Sequence, residues 1–215
     1  MKYMTGHVWC GSEAVFLEQD MHQESILLQH IRYGQRDMVF TVVCNGAEYG
    51  GYLTGRLKDW FQRNGKELAG KAKNSEVIAK KLQREFLGLK EELGDKEMDL
   101  ASLLIVDREC FLITCNMGMC YLFNRRFERT HRRRLSCSHR DHWQMRQGCI
   151  QKKVGILIGL QPFLEGVDQG AMLQCLAAQD IEKECQISKR LCEIAEESRR
   201  QGYHGECSAV YIRSI

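Results

Sequence analysis

Short apolar runs of strand length, interrupted by blocks with helical spacing, limit the folds open to this chain more than any other feature. Residues 26–31 and 38–44 read "ILLQHI" and "MVFTVVC", and the polar segment between them contains Gly34. Two apolar runs joined by a short glycine-containing turn are typical of an antiparallel β-hairpin. The second run stops at Asn45-Gly46, which indicates a buried strand ending in a tight turn.

Two helices are predicted after this hairpin, and a third near the C-terminal end. Apolar residues recur every three or four positions over 53–63 and 75–93, and again over 185–200. Between these blocks, short apolar runs over 101–124 predict a three-strand meander. The apolar run "KVGILIGL" at 153–160 predicts a further buried strand, and residues 207–213 predict a final one.

The order of these elements favours one fold class. Strands that follow one another along the chain, with helices inserted in blocks, favour antiparallel sheets covered by helices over a doubly wound parallel sheet. The predicted fold is therefore α+β, a four-layer α-β-β-α sandwich of two mainly antiparallel sheets flanked by helices. A single proline, Pro162, and the lack of a low-complexity linker predict one domain spanning residues 1–215.

Charge and apolar patterning disfavour several classes of protein. The net charge of +3 gives no strong attraction to nucleic acid or to a membrane. No apolar run approaches the roughly 18–20 residues that span a bilayer, and the first residues lack the apolar stretch of a signal peptide, so a cytoplasmic location is predicted. The eleven cysteines include no C-x-x-C pair and are interpreted as reduced, mostly buried thiols.

Four regions, taken in order, resemble the metal-dependent serine/threonine protein phosphatases of the PPM type, also called type 2C, and most closely the compact bacterial branch. They are "HQESILL" at 22–28, "VVCNGAEYGG" at 42–51, "LLIVDRECFLITCNMGMCYLFN" at 103–124, and a C-terminal pair, "VGILIGLQPFLEGV" at 154–167 and "GYHGECSAVYIRSI" at 202–215. The resemblance implies the four-layer sandwich and a two-metal site built from carboxylates at turns in these regions.

The chain departs from that family at most of the metal-binding positions. The resemblance places the family's acids and its phosphate-binding arginine at Gln19, Gln23, Glu24, Asn45, Gly118-Met119, Leu160 and Gly205. Only two acids are left there, Glu24 and the Glu206 that follows Gly205. Asn45-Gly46 aligns with the family's Asp-Gly turn, whose aspartate bridges both metals. Mg²⁺ and Mn²⁺ prefer anionic oxygen ligands, so these positions form a degenerate metal site.

Three functions stay open at this point. The first is a catalytically impaired pseudophosphatase that acts as a regulatory or protein-binding module and needs no cofactor. The second is a divergent but active metal-dependent Ser/Thr protein phosphatase, which would need Mg²⁺ or Mn²⁺. The third is a scaffold whose altered pocket holds a small ligand. No residue is assigned a catalytic role.

A run of arginines is the candidate binding surface. Residues 125–134, "RRFERTHRRR", contain six arginines: Arg125, Arg126, Arg129, Arg132, Arg133 and Arg134. Guanidinium groups suit carboxylate and phosphate partners, so we expect a protein partner that is acidic or phosphorylated, while a solvated strand end is the plain alternative. Sparse aromatic residues disfavour nucleic acid. The run is expected to reach the rim of the altered metal site.

Histidines follow the arginine run closely. His131, His139 and His142 lie near Cys137 and Asp141, but their spacing matches no standard zinc template. Polar loop residues are the preferred interpretation. A cysteine nucleophile paired with a histidine is disfavoured too, because no predicted loop of the chain carries the C-x5-R pattern of a phosphatase loop.

Overall fold

The computed structural model gives an α+β protein with ten strands and four helices in its described part. The described residues are 2–10, 24–45, 49–70, 74–94, 98–126, 129–134, 143–160, 164, 167–176, 181, 183–203 and 207–215. The strands are β1 (Tyr3–Cys10), β2 (Glu24–Tyr33), β3 (Arg36–Asn45), β4 (Asp99–Val106), β5 (Glu109–Cys115), β6 (Gly118–Arg126), β7 (Arg129–Arg134), β8 (Gln144–Cys149), β9 (Gly155–Leu160) and β10 (Cys207–Ser214). The helices are α1 (Gly50–Gly70), α2 (Ser75–Leu93), α3 (Gln169–Cys175) and α4 (Glu184–Arg200).

Two five-stranded antiparallel sheets form the centre of the fold. Sheet I has the order β1-β10-β9-β6-β7, and sheet II has the order β2-β3-β4-β5-β8. The predicted hairpin is β2 and β3, and its turn at Gly34 has a φ of 62°, a left-handed conformation that glycine adopts without strain. β9 lies against β3 and β4 of the facing sheet.

Strand alternation divides the buried side chains between two faces of each sheet. In β3, Met38, Phe40 and Val42 pack in the cluster that includes α1 and α2, whereas Val39 and Val43 pack between the sheets. The residues between the sheets are almost all aliphatic. Each such side chain stabilises the fold by about 1.5–3 kcal/mol when it is fully buried.

Helices cover the outer face of each sheet, which confirms the predicted four-layer α-β-β-α sandwich. On sheet II, Leu53, Leu57 and Phe61 of α1 point into the core at helical spacing. On sheet I, Ile187 of α4 packs over Gly6 of β1, where an added Cβ would lie 2.6 Å from Ile187 Cγ2. Glycine at this position therefore lets the helix approach the strand closely.

The predicted three-strand meander over 101–124 is wrong in one respect. β4 and β5 pair in sheet II, but β6 pairs with β7 and β9 in sheet I. The chain changes sheets at Asn116-Met117, directly before Gly118. A Cβ on Gly118 would lie 1.7 Å from the Leu100 carbonyl oxygen, so the crossing requires glycine. The apolar pattern of the two strands does not reveal which sheet each one joins.

Three strands lie outside the predicted set, namely β1, β7 and β8. Each of them is the outermost strand of its sheet. In β8, no residue is fully buried, and the consecutive residues Arg146 and Gln147 face solvent. Edge strands are partly solvated and often charged, so they lack the apolar run that marks a central strand.

Candidate functional site

Three strand ends of sheet II meet at one end of the sandwich. The register pairs Glu24 of β2 with Asn45 of β3, and Asn45 with Asp99 of β4. We call these three residues the strand-end site. Because Val43 and Ala101 pack between the sheets, alternation places Asn45 and Asp99 on the same inter-sheet face. The register thus brings together Glu24 and Asn45, two of the positions named from the sequence.

Asp99 is the site residue that sequence reasoning missed. It is half-buried, and its Oδ1 accepts a hydrogen bond from the Met117 backbone nitrogen at 3.2 Å. In the same turn, Asn116 Nδ2 donates to the Met98 carbonyl oxygen at 2.9 Å. These two bonds fix the β5–β6 crossing against the start of β4. The available signal was an acid placed directly before the apolar run "LASLLIV".

Apolar side chains occupy two other positions at which the resemblance expects acids. Gly118 of β6 pairs with Leu160 of β9, and Met119 pairs with Gly159. Leu160 is 2% exposed and packs between the sheets. Met119 is fully buried and packs on the other face of sheet I, under α3 and α4. Neither side chain carries an oxygen that could bind a hard cation.

The remaining predicted positions cannot be placed. Gly46, Gly205 and Glu206 lie outside the described residues, as do Gln19 and Gln23. Among the residues that the structure does describe, no group of three or more His, Cys, Asp or Glu side chains is arranged to hold a metal ion. His139, His142, Cys137 and Asp141 fall outside the described part as well.

The arginine run forms the end of β6 and the whole of β7. The register pairs Tyr121 with Arg134 at one end and Arg126 with Arg129 at the other. Gly118 lies at the strand-end site, and Arg126 is eight residues further along β6, roughly 27 Å at 3.4 Å per residue. The Arg134 end of the run, with the three consecutive arginines 132–134, is therefore the end nearer to the strand-end site, and Arg126 and Arg129 lie furthest from it.

Burial and thiol pKa set the reactivity of the cysteines. Of the eight cysteines whose side chains the structure describes, Cys44, Cys115 and Cys120 are buried, whereas Cys149, Cys185 and Cys192 are exposed, so fewer of these thiols are buried than the sequence predicted. Burial raises the pKa of the Cys120 thiol well above its usual range, and it raises the pKa of Cys110 to about 11. Both thiols stay protonated near neutral pH, whereas nucleophilic cysteines have lowered pKa values.

Comparison of the whole fold with solved structures identifies its type. A bacterial serine phosphatase superimposes with a TM-score of 0.71 at 8% sequence identity, and the match covers 97% of each chain. The serine/threonine phosphatase Stp1 from Staphylococcus aureus gives a TM-score of 0.67 at 8% identity, covering all of this chain and 96% of the other. PppA from Pseudomonas aeruginosa, a key regulatory component of T6SS, gives 0.67 at 9% identity, covering 100% and 99%.

The chain has the fold of the bacterial PPM-type phosphatases. The PPM Ser-Thr phosphatase MsPP from Mycobacterium smegmatis matches as well, with a TM-score of 0.62 at 12% identity over 98% of both chains. Identities this low establish the PPM fold alone. No family model matches the sequence, and no curated protein matches it either. None of the described helices is long and apolar enough to cross a membrane.

Proposed function

We propose that this chain is a PPM-type phosphatase-like domain, 1–215, that has lost two-metal catalysis and acts as a regulatory, protein-binding module in cytoplasmic signalling. The observation that carries the proposal is the set of residues on the inter-sheet face at the strand-end site. Asn45 there is neutral, and Leu160 on the facing sheet is apolar and buried. A catalytic two-metal centre needs charge at this place.

Electrostatics explain why these substitutions matter. Mg²⁺ and Mn²⁺ give up tightly held water when they bind a protein, and anionic oxygens offset that cost. The Asn45 amide offers one neutral oxygen, which cannot bridge two dications with charge. The side chains of Leu160 and Met119 contain no oxygen. The described residues therefore do not fit a pair of divalent cations, and we propose no reaction step through metals and no resident cofactor.

A divergent, active Ser/Thr protein phosphatase is the second candidate, and one observation favours it. Asp99 and Glu24 flank Asn45 in the register of sheet II, one on each side. Asp99 lies on the inter-sheet face, so its carboxylate adds to the acids that the sequence alone assigns to the site. An enzyme of this kind would use Mg²⁺ or Mn²⁺ held by these unusual ligands.

Hydrolysis of an aryl phosphate separates the two candidates. We expect no turnover above background with Mg²⁺ or Mn²⁺, because little hydroxide forms when no metal charge lowers the pKa of water from about 15.7 toward 7. Glu24→Ala and Asp99→Asn should then change nothing. Clear metal-dependent turnover that both variants abolish would establish the active-enzyme alternative. Asp59→Asn, an exposed acid on α1, is the matched control.

The arginine run is the surface that we propose for the partner. Arg125, Arg126, Arg129, Arg132, Arg133 and Arg134 fall within ten residues, and such a concentration of like charge is relieved by an anionic partner. The partner is a protein that is acidic or phosphorylated. PppA, which shares this fold, is itself a regulatory component. A pull-down from the native host with Arg132, Arg133 and Arg134 changed to Ser tests this surface, and unchanged partners with unchanged salt dependence would refute it.

A further inference from the structure

The outer edge of sheet I is formed by an arginine-rich strand. β7 is the last strand in the order of sheet I and pairs only with β6 among the described strands. The antiparallel pairs run from Tyr121↔Arg134 to Arg126↔Arg129. In an edge strand, every second residue directs its backbone N–H and C=O away from its neighbour. β7 therefore has backbone groups positioned to pair with a further strand.

Positive charge along the chain is concentrated in the segment that begins with the arginine run. Residues 125–153 hold ten Lys and Arg against two acids, Glu128 and Asp141, whereas the rest of the chain holds 21 Lys and Arg against 26 acids. The net charge of +3 is therefore the sum of a strongly basic segment and an otherwise acidic chain. Such a segment attracts anionic partners and orients them before contact.

The register separates the six arginines into two rows of three. Paired residues lie on the same face of a sheet, and successive residues alternate. One row shares the face of Leu122 and Asn124, and its members are Arg126, Arg129 and Arg133. The other row shares the face of Tyr121 and Phe123, and its members are Arg125, Arg132 and Arg134. The register therefore assigns three arginine positions to each face of the strand pair.

We propose that β7 accepts an acidic, extended segment of a partner protein as a sixth strand of sheet I. An added strand alternates its own side chains between both faces, so consecutive Asp and Glu residues meet both rows. Opposite charges on neighbouring strands stabilise a sheet, and strand addition supplies backbone hydrogen bonds. A nucleic acid lying against one face would meet only three of the arginines. The inference rests on the proposed partner-binding function and specifies how the partner is held.

Peptides of matched charge test the strand geometry. The first probe is a fluorescein-labelled ten-residue peptide with six consecutive Asp and Glu residues. The second has the same sequence with alternate backbone nitrogens methylated, which blocks half of the strand hydrogen bonds and leaves the charge unchanged. Single-stranded DNA of ten nucleotides is the third. We expect anisotropy at 50 mM NaCl to show the first probe binding at least tenfold more tightly than the other two.

Three triple variants localise the binding. Changing either row to Ser, in Arg126/Arg129/Arg133 or in Arg125/Arg132/Arg134, should weaken binding of the acidic peptide at least tenfold. The control removes the same charge from exposed helix positions, Lys58, Lys66 and Arg84, and should leave binding within twofold. Circular dichroism and melting temperature establish that each variant is folded. The methylated peptide tests the wild-type protein even where a variant fails to fold.

Three results would overturn the inference. Equal binding of the methylated peptide means that charge alone attracts the partner, and equal or tighter binding of DNA makes the edge a nucleic-acid surface. A third result is no peptide binding together with self-association of the row variants, which would assign the arginines to edge protection. The metal-dependent assay of the strand-end site is unaffected by any of these, so failure here is distinguishable from failure of the proposed loss of catalysis.

Discussion

The two ends of sheet II differ in how deeply an acidic side chain is buried and in how many hydrogen-bond donors surround it. At the strand-end site, Asp99 is half-buried and accepts a hydrogen bond from a backbone nitrogen in the β5–β6 turn. At the far end, the Asp37 side chain is only 2% exposed and is surrounded by donors. Arg32 Nε donates to it at 2.6 Å, and the Tyr3 backbone nitrogen donates at 3.3 Å.

Hydrogen bonds connect the two sheets at the far end, which we call the closed end. His30 Nε2 lies 3.7 Å from Asp37 Oδ2, and the Tyr3 hydroxyl donates to the Asp107 carbonyl oxygen at 2.5 Å. Glu184 at the start of α4 accepts from the Thr5 backbone nitrogen at 3.2 Å. A buried carboxylate is retained here because hydrogen bonds compensate its lost hydration. At the strand-end site, Asp99 is only half-buried and keeps one backbone hydrogen bond, and Asn45 between the two acids is neutral.

The largest effect is expected at Gly118, where the chain crosses from one sheet to the other. Gly118→Ala places a Cβ 1.7 Å from the Leu100 carbonyl oxygen, and backbone must move to relieve the clash. We expect a loss of about 3 kcal/mol in the free energy of unfolding, measured by urea denaturation. Gly88→Ala on α2 is the control; nothing lies within 4 Å of its Cβ position, so a gain of about 0.5–1 kcal/mol is expected. An equal response of both variants would contradict the close approach.

The second-largest loss of stability is expected when the buried carboxylate at the closed end is removed. Asp37→Ala leaves the buried Tyr3 nitrogen without its acceptor and Arg32 without its partner. We expect a loss of about 2–3 kcal/mol by urea denaturation. Asp59→Ala, which removes an exposed acid from α1, should change stability by less than about 0.5 kcal/mol. If both variants were equally stable, the hydrogen bonds of Asp37 would not stabilise the closed end.

The closed end also predicts a pH dependence. Burial alone would raise the pKa of Asp37, but the hydrogen bond and charge of Arg32, with His30 and the Tyr3 nitrogen, lower it overall. A lowered folded-state pKa contributes stability that is present above the unfolded value of about 3.9 and is lost as pH falls through the folded pKa. The stability difference between wild type and Asp37→Asn should therefore be constant from about pH 5 to 7 and shrink below about pH 4. If the stability difference instead grew as the pH fell, the folded protein would raise the pKa of Asp37 rather than lower it.

The strand-end acid should matter least for stability. Asp99→Ala removes the bond to the Met117 nitrogen, which lies in an exposed turn where water can replace the lost acceptor. We expect a loss of about 0.5–1 kcal/mol by the same denaturation measurement. A loss as large as that of Asp37→Ala would mean that both ends are structural and would remove the contrast between them.

Apolar pattern predicted the central strands and the edge strand β2, but not the other three edge strands. The helices at 75–93 and 185–200 and the strand at 38–44 match α2, α4 and β3 closely, because buried faces impose their period on the sequence. β1, β7 and β8 were missed because edge strands need no continuous apolar run. The passage of β6 into sheet I was missed as well, since pairing partners are set by packing between distant segments.

The candidate site could be predicted only in part. The turn at Asn45 is visible as a stop in an apolar run, and Glu24 follows from the resemblance to the PPM phosphatases. Asp99 depends on the register between β3 and β4, which local sequence does not contain. The burial of Leu160 and Met119 likewise depends on the facing helices and sheet.

Calorimetric titration with Mn²⁺ tests the central claim most directly, because it measures metal binding apart from any reaction. The account predicts no site tighter than the millimolar range in the wild-type protein, and the same result for Glu24→Ala and Asp99→Asn. Asn45→Asp restores a carboxylate between Glu24 and Asp99 and should tighten Mn²⁺ binding measurably. Two ions held at micromolar or lower concentration by the wild-type protein, and lost in Glu24→Ala, would contradict the account.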